Sequence, residues 1–527
     1  MNLCHHKKQL SMLLIFCLFS LTTFAQKSDT KKALDVITTH KLKTHIDYLA
    51  SDSLLGRNTP SPGLDTAAAY IMREFKKYGI QPVNGTYFQP LPLVITSLGE
   101  ENIVEIDNKG EKSSLKIKTQ FVPFEITANA ETSGALIFAG YGITAPEYNY
   151  DDYNGLDVKG KIVVVMRHEP GEDDTASVFL GKKSTKHAFM DTKAENAIKH
   201  GAVGMLVLTD PLNHQMVTPR GFPWPSLSKI IPKDALPMHL IDSITKIPVV
   251  HVGKEVVNIL FGSLDSLKSI QKSIDAMLKP ISFDYPSINV RIKTSIVETK
   301  IKTNNVIGII PGSDSGLKNE YLVVGAHYDH VGYNKEHSET EDYILNGADD
   351  NASGTSGMLA VAEAFSKMKT KPKRSVLFMA FSGEEKGLYG SAAYVGKPLF
   401  PLEQTVAMLN MDMISRNGID TLFLEGAELS PDLVNIVKAE NIGIEFKLQL
   451  NEDEHVGGSD HASFYEKKVP FIFFFAGLHP DYHTVRDNPG TINPEKAARI
   501  AKLVFKTAWY VANDNKRYKL IEKQTHP

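Results

Sequence analysis

The sequence predicts an α/β fold: a mixed, mostly parallel sheet flanked by helices on both faces, with a β-rich domain inserted into it. Three observations carry this. From about residue 287 the apolar runs NVIGIIPG, YLVVGAH, SVLFMAF, VAMLNMDM and VPFIFFFAG recur with amphipathic stretches between them, as strands buried on both faces require. Residues 98 to 286 have a different texture, of short strands and turns. Residues 26 to 97 read as helical and supply the first part of the sheet-bearing domain.

The elements follow in order. In SPGLDTAAAYIMREFKKYGIQP the residues Leu64, Ala68, Ile71, Phe75 and Tyr78 form one apolar stripe at helical spacing. Gly79 stops that helix and Pro82 reinforces the stop. ENIVEIDNKGEKSSLKIKT is expected to form a hairpin, while GKIVVVM and AVGMLVLT are buried strands around a short helix in TKAENAIKHG. In the last region, SGTSGMLAVAEAFSKMK places Met358, Ala362, Phe365 and Met368 on one helical face.

A chain of 527 residues has room for two or three domains. Its net charge of −3, with no acidic or basic tail in the sequence, gives no reason to expect nucleic acid as a partner. The first stretch, MNLCHHKKQLSMLLIFCLFSLTTFAQ, has the three parts of a secretory signal: Lys7 and Lys8, the apolar Leu10 to Leu21, and Thr23-Phe24-Ala25. Cleavage after Ala25 would remove both cysteines, Cys4 and Cys17, and leave no span in the mature chain. The bulky Phe16 before Cys17 argues against a lipoprotein. An exported protein, periplasmic or extracellular and without disulfides, is expected.

The polar residues that follow the strands carry the functional signal. His327-Tyr328-Asp329 follows YLVVGA, Asp349 and Asp350 precede the long helix, and Glu384 and Glu385 follow SVLFMAFSG. Asp412 lies within LNMDMIS, and Tyr482 and His483 lie in the loop after VPFIFFFAG. Ligands gather at the carboxyl ends of such strands. Singly, each residue has an ordinary reading: a rim histidine, or an aspartate that caps a helix, which suits Asp349 best. Asp412 resists it, because a carboxylate among Leu409, Met411, Met413 and Ile414 needs a partner. Together, a histidine and carboxylate set at one sheet edge points to a metal, with zinc suited and manganese or cobalt tolerable. Five ligands exceed the usual three of a single catalytic zinc, and fit two ions if one carboxylate bridges.

At these residues the sequence resembles the dinuclear zinc peptidases, a family with secreted aminopeptidases, glutamate carboxypeptidase, glutaminyl cyclase and the transferrin receptor. The motifs HYDH, NGADDNASG, SGEEKGLYGS, NMDMIS, GGSDHASF and DYHT occur in the family's order between residues 320 and 486. GYGITAPEYNYDDYNGLDVKGKIVVV and KAENAIKHGAVGMLVLTDP resemble a protease-associated domain. With 1–25 read as a signal peptide, the resemblance implies a peptidase domain formed by 26–97 and 287–527 and a protease-associated insertion at 98–286. It implies two zinc ions, one held by His327 and Asp412 and the other by Glu385 and His483. Asp350, the acid of Asp-x-x-Ser-Gly, would bridge them. Glu384 would be the general base, Asp329 would orient the His327 ring, and Tyr482 would steady the oxyanion.

The implied activity is that of a secreted aminopeptidase acting on peptides with a free N-terminus. The alternatives are a glutaminyl cyclase, which uses one zinc, an inactive receptor-like binding protein, which would have lost ligands, and a carboxypeptidase. The last would need a basic pocket, with Arg416 and Arg486 as candidates. Ser459, Asp460 and His461 are expected to form structural hydrogen bonds. The acidic stretch 334–343 is a weaker candidate, for calcium, and is read first as a solvated loop; cation binding by the pair Asp151-Asp152 is a weaker candidate again.

Overall fold

The computed structural model describes residues 29–214, 219, 221–229, 236–241, 245–335, 341–450 and 457–521. The expected signal segment with Cys4 and Cys17, and residues 336–340 of the acidic stretch, lie outside the described residues. The chain divides into two compact units, Pro92–Ile301 and the remainder on either side of it.

The larger unit is built on a nine-stranded sheet. Its centre is four neighbouring parallel strands: Ser375–Phe381, Tyr321–His327, Thr405–Asp412 and Phe471–Phe475. Asn304–Ile310 joins one side antiparallel, and Thr421–Glu425 the other. Alternate residues of the central strands feed two separate cores. Val324, Phe378, Leu409 and Phe474 face one, with Ile71, Phe75, Leu359 and Phe505 from the covering helices. Val323, Leu377, Met408 and Phe473 face the other, with Tyr394 and Phe464. Two-sided cover explains why these strands are apolar throughout rather than alternating.

The helices form where the pattern placed them. Pro62–Tyr78 starts with the Ser61 hydroxyl accepting from Leu64 N at 3.1 Å and ends at Gly79, which adopts φ 74°. The helix Gly354–Lys367 departs from a one-sided stripe, since every residue from Gly354 to Phe365 is buried. It lies beneath the Pro494–Asn513 helix, so it needs no polar face.

The smaller unit carries an eight-stranded sheet in which Ile162–Met166 and Gly204–Leu208 are parallel neighbours with the helix Met190–Lys199 between them in sequence. The expected hairpin is the antiparallel pair Ile103–Asn108 and Glu111–Ser114. The seams lie at 91/92 and 301/302 rather than the expected 97/98 and 286/287. Pairing is the reason: Leu93–Leu98 runs antiparallel to Ile296–Ile301, and Ser282–Thr294 pairs with Ala130–Ala139. The entering and leaving segments are thereby tied into the inserted unit.

Candidate metal centre

Four of the expected side chains stand at or just beyond strand ends. His327 and Asp412 are the last residues of Tyr321–His327 and Thr405–Asp412, and Glu384 and Glu385 follow Ser375–Phe381. Asp350 comes from the turn ahead of the buried helix, a turn held to the Asp412 strand by Asn351, whose Nδ2 donates to Met411 O at 3.1 Å. A Cβ at Gly354 would lie 2.4 Å from Met411 O, so only glycine permits this approach.

These residues converge as two linked groups. His327 Nε2 lies 3.2 Å from Asp412 Oδ2 and 3.9 Å from Glu384 Oε2. His483 Nε2 lies 3.0 Å from Glu385 Oε2. Asp350 joins them, with Oδ1 3.3 Å from His327 Nε2 and Oδ2 3.1 Å from His483 Nε2. The donor atoms within each group lie within 4.8 Å of one another.

The chemistry of the donor set fits a cation. His327 Nδ1 faces the Asp329 carbonyl oxygen at 3.2 Å, which can only accept, so Nδ1 is the donor. In the neutral ring Nε2 then presents a lone pair to the oxygens of Asp350 and Asp412. That buried atom has no hydrogen-bond partner, nor does Asp412 Oδ1. A metal ion held between the ring and the carboxylates resolves the conflict.

The site polarises its own groups in opposite senses. Burial, reinforced by Asp412, pushes the Glu384 carboxyl well above the usual carboxylate range. Burial acts on Glu385 too, but hydrogen bonds from His330 and His483 leave it below that range. Asp350 is buried as well, yet the adjacent His327 ring and the hydrogen bond from His483 hold it well below the range. Burial disfavours charge on His483, but its bonds to Asp350 and Glu385 raise it to about 10. Adjacent carboxyls driven apart in this way take different chemical roles.

Other expected residues occupy different places. The Asp329 carboxylate accepts from Glu384 N at 3.2 Å and from Thr59 Oγ1 at 3.0 Å, and stands 3.7 Å from His327 Nδ1. It therefore fixes the glutamate turn, while its main-chain carbonyl takes the ring hydrogen bond expected of its side chain. The Tyr482 ring stacks on His483 at 3.8 Å, and burial keeps its phenol protonated across the neutral range. Asp349 binds Ser415 through both N and Oγ, each at 2.7 Å. Of the wall residues, Ser459 accepts from Asn410 at 2.9 Å and His461 pairs with Glu425 at 2.9 Å. Both Asp460 oxygens are buried without a hydrogen bond, and burial raises that carboxyl to about 7. Arg416 and Arg486 both pair with Asp481, at 2.6 and 2.7 Å.

Sequence reasoning missed two neighbours. His330 Nδ1 lies 2.7 Å from Glu385 Oε1 and 3.6 Å from Asp350 Oδ2. Its signal was present as the last residue of HYDH. Arg57 is buried, donating to the carbonyls of Tyr328 at 2.9 Å, Asn346 at 2.8 Å and Gly347 at 3.0 Å, and also to Leu49. It cross-links the loops that present His327 and Asp350. Nothing local marks it.

Residues 305–508 match the model of peptidase family M28, and residues 126–260 that of the PA domain. An aminopeptidase of Bacillus subtilis (strain 168) is 26% identical over 410 residues, covering 74% of this chain and 72% of the relative. A glutamate carboxypeptidase 2 homolog of Caenorhabditis elegans is 24% identical over 547 residues, covering 88% of this chain and 66% of its own length. Among solved structures, an aminopeptidase from Aneurinibacillus sp. strain AM-1 covers 94% of this chain and 98% of its own, with 20% identity and a TM-score of 0.48.

Proposed function

We propose that this chain, a metallopeptidase whose residues 305–508 match peptidase family M28, is an exported aminopeptidase that removes N-terminal residues from peptides at a two-zinc centre. The observation that carries the reading is the position of Asp350, with one oxygen toward His327 and the other toward His483. One zinc fits His327, Asp412 and Asp350, and the second fits Glu385, His483 and Asp350. When bound, the metal pair supplies Lewis acidity and lowers the proton affinity of water in the site.

The protein's own groups do the rest. Glu384 stands beside the His327 group, with its backbone N held by Asp329, and its raised proton affinity suits it to accept a proton and return it to the leaving amine. Glu385 keeps its charge and serves as ligand. The Tyr482 phenol keeps its proton, so it is available to donate to a developing oxyanion. Peptide substrates with a free N-terminus are the proposed partners, with no role for nucleic acid.

A carboxypeptidase is the second reading, favoured by the glutamate carboxypeptidase relatives. The pairing of both Arg416 and Arg486 with Asp481 weakens it, because that carboxylate offsets the positive charge a substrate carboxylate would need. For export, the support is the lysine-flanked apolar run ending at Ala25. No helix of the described residues is long and apolar enough to cross a membrane.

The test is a substrate panel on zinc-loaded protein: amino-acid amides, N-blocked peptides and peptides with N-terminal glutamine. Release from free N-termini alone is expected. Cleavage of N-blocked peptides at their carboxyl end would select the carboxypeptidase, and cyclisation of glutamine would select the cyclase.

A further inference from the structure

The inserted unit holds a second cluster of metal-binding side chains, unrelated in sequence to the motifs above. Ile162–Met166 and Gly204–Leu208 run parallel, with Met166 level with Leu208. Two residues past these partners the chain reads His168 on one strand and Asp210 on the other. Four residues further on come Glu172 and His214. The two turns therefore carry His-x-x-x-Glu and Asp-x-x-x-His, a reciprocal pair at adjacent strand ends.

We propose that His168, Glu172, Asp210 and His214 bind a zinc ion within the Pro92–Ile301 unit. His168 Nδ1 lies 2.7 Å from Asp210 Oδ1 and 3.9 Å from Glu172 Oε2. His214 Nε2 lies 2.9 Å from Glu172 Oε2 and 3.5 Å from Asp210 Oδ2. These separations bracket the ~3.4 Å edge of a tetrahedron with bonds of about 2.1 Å. Asp210 is fully buried, and its Oδ2 accepts no hydrogen bond. It is an unpartnered carboxylate oxygen aimed into the cluster.

Charge makes the same case. The two imidazole rings stack with centroids 4.1 Å apart and planes 24° from parallel. Two imidazolium cations would repel one another in that arrangement, whereas with neutral rings Asp210 and Glu172 form no ion pair among the described residues. One divalent ion neutralises both carboxylates and lets both rings stay neutral. Two imidazoles with two carboxylates suit zinc rather than calcium or magnesium, which take oxygen ligands. Four protein ligands close the coordination sphere, so the site is structural.

Its scaffold is preset. Gln271 is fully buried and grips the second turn, accepting from Leu212 N at 2.8 Å and donating to Asn213 Oδ1 at 2.6 Å. Asn213 Nδ2 in turn donates to Asp173 at 2.8 Å, tying the turns together beside the cluster. The ion would complete a cross-brace between two strand ends.

The test is anomalous diffraction at the zinc edge from crystals of the full protein soaked in zinc. A peak among His168, Glu172, Asp210 and His214 is expected, independently of what is found at His327 and His483. In solution, the H168A/H214A variant is expected to bind one zinc fewer per chain than wild type by elemental analysis, and Glu172→Gln to weaken that site by about 10-fold or more. No anomalous peak between the two histidines, or calcium there in place of zinc, would overturn the proposal even if the double variant does not fold. Equal zinc content in a folded double variant would also overturn it.

Discussion

His330 Nδ1 and Glu385 Oε1 lie 2.7 Å apart in the interior of the larger unit. The histidine thus aims a carboxylate whose other oxygen faces His483 at 3.0 Å. Gly347 makes room for that ring, since a Cβ there would fall 2.5 Å from it. Removing an orienting partner typically costs 10–100-fold in metal affinity. His330→Ala is therefore expected to weaken zinc at the Glu385 site by about that factor, with turnover recovered in excess zinc. Competition against a chelator measures it, and unchanged affinity would remove His330 from the site.

Glu384→Gln is expected to abolish turnover with zinc retained, whereas Glu385→Gln should lose zinc and regain part of its activity when zinc is added. A general acid or base contributes about 10²–10⁴-fold, so the first variant should lose at least the lower figure in kcat, with KM little changed. Zinc content measured beside kcat separates the two. The opposite pattern would exchange the roles of these neighbours.

In the H168A/H214A variant the zinc that remains is that of the metallopeptidase centre. Two ions per chain are expected there, and dialysis against a strong chelator should abolish activity until zinc is restored. A firm stoichiometry of one would favour the cyclase.

Acid sensitivity should arise partly far from the metals. His45 is buried, with Nδ1 2.6 Å from the Tyr70 hydroxyl and Nε2 3.2 Å from that of Tyr78, and burial lowers its pKa to about 4. The unfolded chain protonates it near 6.5, so the folded state takes up its proton only at lower pH. Stability from the neutral ring is full above about pH 6.5 and is lost as pH falls toward 4, about 2 kcal/mol of it by pH 5. His45→Gln should flatten the fall in Tm between pH 7 and pH 5. A slope equal to wild type would place the titrating group elsewhere.

N-terminal sequencing of the protein recovered from the producing cells is expected to begin at Gln26, the residue after Ala25. A retained Met1 or a lipid on Cys17 would overturn the export claim.

Much of this was legible from residue order. Runs such as YLVVGAH, closed by His327, and LNMDMIS, containing Asp412, announce buried strands with a polar residue where no apolar core can satisfy it. Burial imposes that pattern locally, so the sequence by itself determined the strands, the covering helices and the edge at which the histidines and carboxylates gather. The tertiary structure decided which of these side chains meet. Arg57 reaches Tyr328 across 271 residues, and His330 reaches Glu385 across 55. His168 and Asp210, 42 positions apart, meet only because two parallel strands stand in one register. Periodicity reports whether a residue is buried. Its partner depends on strand order and loop path, which arise from the packing of the whole sheet and leave no local trace.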